Sequence, residues 1–357
     1  MEESPLLNLP NGTLEKILKT CDYGDRQVLR KVSHALRDHV ESQPTIFKFV
    51  KILVYPNHIT FRADIQGSTH NSIDTQYNAF IKDSKPHTQI YRTMKEAFFK
   101  NIVQEPILNV FFRDFATFMK LLEHPSSFIE HLQFESAHPE VNTSNFPFRI
   151  LLHQVMSDVP KRLKVCSISA QVDDELKLVG ILGAVDPQYL RTLTVKKCQA
   201  EMKPWNFELV QVNDFWQALK SVKIETLVSN IRPFFNFDDV SIHVETLTRN
   251  DVALLARTFT TTPHRRRTFQ AHHGGTGLAH RWFIMHPRFR FHRYINTQDP
   301  EIVCEIEAYI NSASFTFRNV ARSSLPDSVR EINVGIVEQF LSMEDLPNYS
   351  RKEMIYF

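Results

Sequence analysis

The chain has 357 residues, of which 42% are hydrophobic and 28 are phenylalanine, so it carries enough apolar surface for two or three globular domains. Its formal net charge of +2 is close to balance, which gives no argument for a polyanionic partner or a membrane surface. Only nine glycines occur and no GxGxxG or Walker-type loop is present, which argues against a nucleotide-dependent enzyme.

Cysteine spacing and apolar segments indicate the compartment. No N-terminal apolar run follows a basic start, and no stretch approaches the roughly 18 apolar residues that a membrane span requires. The cysteines form no CxxC pair and lie far apart, at Cys21, Cys166, Cys198 and Cys304. This spacing is typical of a reducing compartment, and the last three lie in apolar patterns that favour buried packing. We expect a cytoplasmic or nuclear protein without a membrane partner.

Residues 9–40 contain two short amphipathic patterns, each of which predicts a helix. Apolar residues recur at helical spacing at Leu14, Ile17, Leu18, Cys21, Leu29, Val32 and Leu36. Helices of only about three turns are marginal in water. The stability of this segment must therefore come from packing of its apolar residues against something else.

The next segments are predicted to be strands, followed by alternating helices and strands. Residues 47–55 and 58–65 have strand character, with a turn signal at Pro56-Asn57 between them, and the polar residues 66–76 indicate a loop. From about residue 108, apolar residues at helical spacing predict helices at 113–124, 173–185, 212–222, 250–259 and 300–310.

A short apolar pattern recurs five times between these helices: apolar, two residues, apolar, one residue, apolar. The copies are Ile129/Leu132/Phe134, Leu163/Cys166/Ile168, Leu190/Leu193/Val195, Leu219/Val222/Ile224 and Phe237/Val240/Ile242. The copy in "LRTLTVKKC" (190–198) fits the leucine-rich-repeat template. Their spacing is irregular and strands are apolar in any case, so coincidence is the alternative. Five copies in order predict an α/β fold, a leucine-rich-repeat-like solenoid with a mostly parallel sheet.

An ordered set of apolar and charged residues near the N-terminus carries a family signature. The set is Leu9-Pro10, then Leu14, Ile17 and Leu18, then Asp25, Val28 to Ser33, Leu36 and Arg37. In this order and spacing it resembles an F-box. Gly12 and Arg26 stand where the family commonly has an acidic and an apolar residue. The resemblance implies a small helical domain that leaves an apolar surface open for a Skp-type adaptor and, through it, a cullin.

Five further segments carry a second, looser resemblance. They are "FVKILVY", "LLEHPSSFIEHLQF", "ILGAVDPQYLRTLTV", "VNDFWQALKSVKIE" and "FRFHRYI", which are distributed over residues 46–310. They are similar to the large nematode group of F-box proteins with an FTH domain. This implies an adaptor that joins a protein substrate to an SCF-type cullin–RING ubiquitin ligase. The expected domains are an F-box at 5–45, an FTH-like α/β repeat domain at 46–330 and a helical tail at 331–357.

The resemblance implies an apolar surface for the Skp-type adaptor. Its expected members are Leu9, Pro10, Leu14, Ile17, Leu18, Val32 and Leu36, of which Val32 and Leu36 are shared with the bundle interior. Burying an aliphatic anchor of this kind in a partner groove contributes about 1.5–3 kcal/mol. The alternative is that these residues form a private core, which is the ordinary fate of aliphatic side chains.

A second candidate surface follows from the strand pattern. Residues between the buried positions of a strand point to the opposite face. The expected substrate-binding residues are Gln133, Glu135, Ser167, Ser169, Thr194, Lys196, Lys223, Glu225, Ser241 and His243. They are small, polar and mixed in charge, which suits a protein-binding surface and equally a solvated sheet.

Residues 264–294 combine arginine, histidine and aromatic residues at high density. Such a mixture is typical of a surface that binds a nucleic-acid backbone and stacks its bases. The alternative is a basic strand face with Arg288 and Arg290 outward and Phe289 and Phe291 buried. The balanced net charge favours this alternative, so a nucleic-acid partner is not expected.

No arrangement of residues indicates catalysis. His272, His273, His280, His286 and His292 show no HExxH spacing and no carboxylates at ligand-like intervals, and no GxSxG elbow occurs. We therefore expect neither an enzyme nor a metal or other cofactor. The remaining alternative to a ligase adaptor is a protein-binding scaffold that works without the ligase.

Overall fold

The computed structural model describes residues 9–21, 23–32, 34–41, 44–55, 57–66, 72–94, 97–136, 162–172, 174–196, 203–245, 249–261, 267–273, 290–309 and 314–325. The chain divides into two compact units. The first holds the residues up to Val172 together with Leu176–Leu190, and the second holds Asp173–Glu175 together with the residues from Arg191 onward. The expected helical tail at 331–357 lies outside the described residues.

Helices and strands occur in this order within the described residues. The helices are α1 (Asn11–Thr20), α2 (Tyr23–Val32), α3 (His34–Glu41), α4 (Ile107–Lys120), α5 (Glu175–Gly183), α6 (Glu208–Gln211), α7 (Asp214–Ala218) and α8 (Arg249–Thr261). The strands are β1 (Ile46–Val54), β2 (His58–Ile65), β3 (Ser72–Lys82), β4 (Lys85–Met94), β5 (Ala97–Val103), β6 (Phe128–Ser136), β7 (Val165–Gln171), β8 (Thr192–Lys196), β9 (Ser221–Val228), β10 (Asp239–Val244), β11 (Thr268–His273), β12 (Arg290–Asn296), β13 (Ile302–Tyr309) and β14 (Ser314–Ala321).

The first unit begins with a bundle of three short helices. Its interior consists of Leu14, Leu18, Leu36 and Val40, with Leu29 packed against them. The sequence predicted two helices, but the second pattern is divided into α2 and α3, which contact each other. The division allows the apolar residues of α3 to reach the same interior as those of α1, and this shared core stabilises helices too short to persist alone.

The sheet of the first unit combines two kinds of strand pairing. Its order is β7-β6-β1-β2-β3-β4-β5, with parallel pairs β1–β6 and β6–β7 and antiparallel pairs from β1 to β5. Helix α4 covers one face, where Phe118 lies 4.7 Å from Phe47 and 4.9 Å from Phe61 between ring centroids. The strands predicted at 47–55 and 58–65 are confirmed, and the helix predicted at 113–124 is confirmed as far as Lys120, where α4 ends.

Short connections explain the antiparallel part of this sheet. Between β3 and β4 the chain reverses through Asp83 and Ser84, whose φ angles are 51° and 58°. Two successive left-handed residues form the tight turn that matches the twist of a hairpin. A two-residue turn joins only antiparallel strands, because parallel strands need a long crossover. The loop predicted at 66–76 is wrong from Ser72 onward, where β3 begins.

The second unit also has a mixed sheet. Its order is β8-β9-β10-β11-β14-β13-β12, with β8 to β11 parallel and the pairs β11–β14, β14–β13 and β13–β12 antiparallel. Helix α8 contacts β13 and β14 on one face. An aromatic core supports the parallel half, where the Trp216 indole donates a hydrogen bond of 3.1 Å to the Pro233 carbonyl oxygen.

The last two residues of each of the five apolar patterns lie on a strand that pairs in parallel with a neighbour. These strands are β6, β7, β8, β9 and β10. The expectation of a mostly parallel sheet is nevertheless wrong for both units, since each adds several antiparallel strands with short connections. Beyond the helical bundle, the described chain is largely mixed β-sheet with few helices, and a leucine-rich-repeat-like solenoid is not confirmed.

Two predicted helices differ in the structure. Residues 300–310 form strand β13, in which Ile302, Val303, Cys304 and Ile306 are buried. Their β-branched character and their pairing with β12 and β14 outweigh the helical spacing. Of the helix predicted at 212–222, only Asp214–Ala218 is helical. The helices predicted at 173–185 and 250–259 are confirmed.

Cysteine burial agrees only in part with the expectation. Cys304 is fully buried, and burial raises the pKa of its thiol far above its ordinary value. Cys166 is only half-buried, although it lies on β7 between the buried Val165 and Ile168. Cys198 lies outside the described residues.

Candidate functional site

Helix α2 exposes two aliphatic side chains. Val28 is 63% exposed and Val32 is 56% exposed, and they lie four residues apart on one helix face. Large apolar side chains on a short helix are usually buried, because burial stabilises the helix. An apolar strip therefore remains open on the outside of the helical bundle.

A shallow groove lies beside this strip. It has a volume of about 240 Å³ and is lined by Leu14, Ile17, Cys21, Asp25, Val28, Leu29 and Leu36. Six of these seven residues are apolar or weakly polar, and they come from all three helices. The groove is thus an apolar depression built by the bundle itself.

The expected adaptor residues divide into two groups. Leu14, Leu18 and Leu36 are at most 2% exposed, so the expectation that they belong to an open apolar surface of the free chain is corrected. They are buried because a bundle of three short helices has few other apolar residues with which to form a core. The more accessible members are Leu9 and Ile17, which are half-buried, and Pro10 and Val32, which are exposed.

Arg26, which departs from the family pattern, has a structural role. Its Nε donates a hydrogen bond of 3.1 Å to the carbonyl oxygen of Leu18, in the last turn of α1. Carbonyl groups in that turn have no partner within the helix. Burial lowers the pKa of the Arg26 guanidinium from its ordinary value. A second arginine of α2, Arg30, forms an ion pair with Glu41 at the end of α3.

The sheet of the first unit has a polar face opposite α4. Gln133 donates a hydrogen bond to Glu135 on β6, and Lys51 Nζ lies 3.5 Å from Glu135 Oε2. Ser167 Oγ lies 3.1 Å from the Nδ1 of His131. Ser169 is corrected: its short side chain is only 4% exposed, and its hydroxyl has no hydrogen-bond partner among the residues that the structure describes.

This polar face extends to strands that the sequence prediction did not include. Strand pairing aligns Ser169 with Gln133, and continues through Lys51, Arg62 and Asp74. Residues paired across neighbouring strands share a face. The row ends at an open depression of about 450 Å³ lined by Asp74, Gln76, Asn78, Tyr91 and Thr93. Alternating polar residues in 72–82 would have indicated this face if a strand had been predicted there.

In the second unit the expected residues lie on three adjacent strands. Strand pairing aligns Thr194 with Lys223 and Lys223 with Ser241. Lys223 Nζ lies 2.9 Å from Glu225 Oε1. The six positions in this unit are half-buried or exposed, namely Thr194, Lys196, Lys223, Glu225, Ser241 and His243. This is a second small polar face with both signs of charge.

The basic segment contributes little to any described surface. Arg267 is 4% exposed, donates a hydrogen bond of 3.3 Å to the Phe237 carbonyl oxygen and lies 4.7 Å from the centre of the Phe259 ring. It is therefore a structural residue, and burial lowers the pKa of its guanidinium. Residues 274–289, with Arg288 and Phe289, lie outside the described part of the chain.

Histidines of this segment that the structure describes do not form a metal site. The rings of His272 and His243 lie 5.2 Å apart on neighbouring strands. Burial, with the nearby charge of Lys223, lowers the pKa of His272. Among the described residues no group of three or more histidine, cysteine or acidic side chains is arranged to hold a metal ion.

Sequence reasoning missed a polar cluster at the inner face of the first unit. The Tyr77 hydroxyl donates a hydrogen bond of 2.9 Å to Asp114 Oδ2, and Arg92 forms an ion pair with the same carboxylate. Asp114 lies on the apolar side of α4, three residues after Phe111 and four before Phe118. A charged residue within an apolar helix stripe requires partners, and that was the available signal.

Comparison with protein families assigns two parts of the chain. Residues 6–48 match the F-box domain, and residues 151–273 match the FTH domain. The chain therefore contains an F-box domain and an FTH domain, which is the combination found in F-box proteins with an FTH domain. This confirms both resemblances, while the nematode origin is not tested. Neither the curated proteins nor the solved structures gave a match.

No helix within the described residues combines the length and the apolar character needed to cross a membrane.

Proposed function

We propose that this chain is the substrate-recognition subunit of an SCF-type cullin–RING ubiquitin ligase. The F-box, at residues 5–45, holds a Skp-type adaptor, and the FTH-like part, at residues 46–330, holds the protein to be modified. The chain performs no chemistry itself, since the other subunits transfer ubiquitin and this chain supplies proximity. It acts in the cytoplasm or the nucleus and needs no cofactor.

The open apolar strip of α2 is the observation that carries the proposal. Val28 and Val32 are each more than half exposed in the free chain, so most of their apolar surface is left in contact with water. Burial in a partner groove contributes about 1.5–3 kcal/mol for each fully covered side chain of this size. The match to the F-box domain and the open strip support the same proposal.

The buried leucines support this surface from below. Leu14 and Leu36 line the groove of about 240 Å³, so they form its floor while Ile17 and Val28 form its rim. Adaptor side chains that enter the groove contact the floor without any unfolding of the bundle. The contact residues that we propose are therefore Leu9, Pro10, Ile17, Val28 and Val32, with Leu14 and Leu36 beneath.

Either polar face is proposed to bind the target protein. In the first unit, the face runs from Ser167 and Gln133 to the depression beside Asp74. In the second unit, it contains Lys223, Ser241 and their neighbours. Both faces offer hydrogen-bonding groups and both signs of charge, as protein-binding surfaces of sheets do.

Adaptor binding is tested with the full chain and a purified Skp-type adaptor. We expect Ile17→Asp and Val32→Asp each to weaken binding at least tenfold in calorimetry, because each places a charge in an apolar contact. Ile81→Asp is the matched control, since Ile81 is 80% exposed on β3 and lies outside the F-box. Circular dichroism checks that every variant is folded.

The outcome also separates the ligase adaptor from a scaffold that works alone. If the unaltered chain does not bind the adaptor, the scaffold function replaces the proposal. If Val32→Asp and Ile81→Asp bind equally well, the proposed surface is wrong even though the ligase function stands.

The target-binding faces are tested by quantitative affinity purification under proteasome inhibition. We expect Lys223→Glu or Gln133→Trp to remove a set of proteins that the unaltered chain retains, while the adaptor stays bound. Lys220→Glu is the matched control, because Lys220 is exposed immediately before β9. Identical protein sets for all variants would refute both faces.

A further inference from the structure

A cavity of about 470 Å³ lies in the first unit, between α2 and the sheet face that α4 covers. Val28 and Lys31 of α2 form one side. The floor is a row of residues paired across four strands, Phe61, Thr75, Arg92 and Phe99. Sites for small molecules have volumes of about 300–1,000 Å³, so the cavity has the size of a ligand site.

Six of the thirteen residues that line the cavity are aromatic. Phe111, Phe115 and Phe118 project from α4, and Phe61 meets Phe115 and Phe118 edge-on, at 6.0 and 4.9 Å between centroids. The faces and edges of such rings favour contact with a flat apolar body. Phe99, at the opposite side of the cavity, is 56% exposed, and a molecule bound in the cavity would cover its ring.

One end of the cavity is polar and fixed in position. Tyr77 and Arg92 both bind the Asp114 carboxylate. Burial and the Asp114 charge raise the pKa of Tyr77 far above its ordinary value, so its hydroxyl remains a neutral donor. The Asp114 charge raises the pKa of Arg92, which remains a cation. The guanidinium is held in place, yet the Arg92 side chain is 44% exposed.

The charges at this cavity favour an anion. Two cations, Lys31 and Arg92, line it together with one carboxylate, Asp114. The carboxylate is already bound by Tyr77 and Arg92. A guanidinium has five N–H donors and binds an oxyanion in a planar, directional way. An acidic group placed between Arg92 and Lys31 meets an excess of positive charge.

We propose that this cavity binds a small amphipathic anion, with a flat apolar body between the phenylalanines and an acidic head beside Arg92 and Lys31. The proposal does not rest on the ligase function, because the whole lining belongs to this chain. Val28 is also a proposed adaptor contact, so the tests use the chain without the adaptor. The lining of the cavity comes from α2 as well as from the sheet and α4. An occupant therefore holds α2 in place and raises the melting temperature of the chain.

Two dyes test the site on the full chain. The probe is 1-anilinonaphthalene-8-sulfonate, which has a flat aromatic body and an anionic head. N-phenyl-1-naphthylamine has the same body without the charge. We expect the sulfonate dye to bind saturably at one molecule per chain, with enhanced fluorescence, and to raise the melting temperature.

Substitutions separate the head from the body. We expect Arg92→Gln and Lys31→Gln together to weaken the sulfonate dye at least tenfold and the neutral dye less than twofold, while Arg92→Lys retains most of the affinity for the sulfonate. Arg62→Gln is the matched control, since Arg62 lies on the opposite sheet face and pairs with Asp64. Lys31→Gln alone, at an exposed position, should cause a partial loss of affinity for the sulfonate dye. This single variant leaves the ion pair between Arg92 and Asp114 in place.

A second pair of variants tests the body. Thr117→Trp fills the cavity from an exposed position on α4 and should weaken both dyes at least tenfold. Asn109→Trp adds the same side chain elsewhere on the helix surface and should weaken neither. The proposal is overturned if the sulfonate dye binds without saturation, if the Arg92/Lys31 double variant binds it as the unaltered chain does, or if the two tryptophan variants behave alike.

Discussion

Arg26 donates a hydrogen bond from its Nε to the carbonyl oxygen of Leu18 at 3.1 Å, which joins the second helix of the F-box to the end of the first. We predict that Arg26→Met destabilises the F-box by about 1–3 kcal/mol, because the change removes a charged donor from a helix-end carbonyl. Hydrogen exchange of amides in α1 and α2 measures this locally.

Lys16→Met is the control for Arg26→Met. Lys16 is exposed on α1, so its replacement should leave exchange unchanged. Equal protection in the Arg26→Met variant would show that water replaces the guanidinium at no cost.

Gly12 offers a site for stabilisation. A Cβ atom added there meets nothing within 4 Å, and the first turn of α1 holds no acidic residue. We predict that Gly12→Glu stabilises the F-box by about 0.5–1.5 kcal/mol, since it restricts the unfolded chain and places a negative charge at the positive end of the helix. Gly12→Lys also restricts the unfolded chain but adds no negative charge, so it should raise the melting temperature less. A larger gain for the lysine variant would contradict the dipole argument.

Phe118 anchors α4 on the sheet of the first unit. Its ring is 4% exposed and lies against Phe47 and Phe61. We predict that Phe118→Ala costs about 3–5 kcal/mol of the free energy of unfolding, because it removes the ring and leaves a cavity. Urea unfolding followed by circular dichroism measures this loss. Asn109→Ala, at an exposed position of the same helix, should change the stability by less than about 0.5 kcal/mol.

His272 should make the stability of the second unit depend on pH. Its pKa in the folded chain is lowered by burial and by Lys223, so below about pH 6.5 the unfolded chain binds the proton more readily. Stability is therefore predicted to fall as the pH decreases from about 7.5 to about 5. The variant His272→Gln should show a smaller decrease than the unaltered chain, measured by thermal unfolding at both values. His34→Gln, at an exposed position of the F-box, should leave the decrease unchanged.

Local patterns predicted those elements whose partners lie close along the chain or whose pattern allows one reading. Helix α4 was predicted from apolar residues at helical spacing, and strands β1 and β2 from their strand character and the turn signal at Pro56-Asn57 between them. Residues 302–309 fit two periods, since Ile302, Cys304 and Ile306 also alternate. Pairing with β14 decides in favour of a strand, and that partner is not visible in a local window.

The sequence predicted the strand face on which a candidate residue lies, but not how exposed its side chain is. Alternation along β6 correctly placed Gln133 on the polar side, whereas Ser169 shares that side and is nevertheless buried. Exposure depends on the size of neighbouring side chains, which strand alternation does not contain. The F-box motif likewise identified Leu14 and Val32 together, but only packing shows that one is floor and the other is surface.

The outer strand β5 has a feature that limits self-association of this protein. Its Ile102 amide donates to the side-chain oxygen of the preceding Asn101, at 2.9 Å. An exposed strand recruits further chains through backbone amides that still seek an acceptor. This amide has already found one within its own strand. A second molecule that approached here would form one backbone hydrogen bond fewer with β5. The exposed side chains of Phe99 and Ile102 would otherwise favour aggregation at this place.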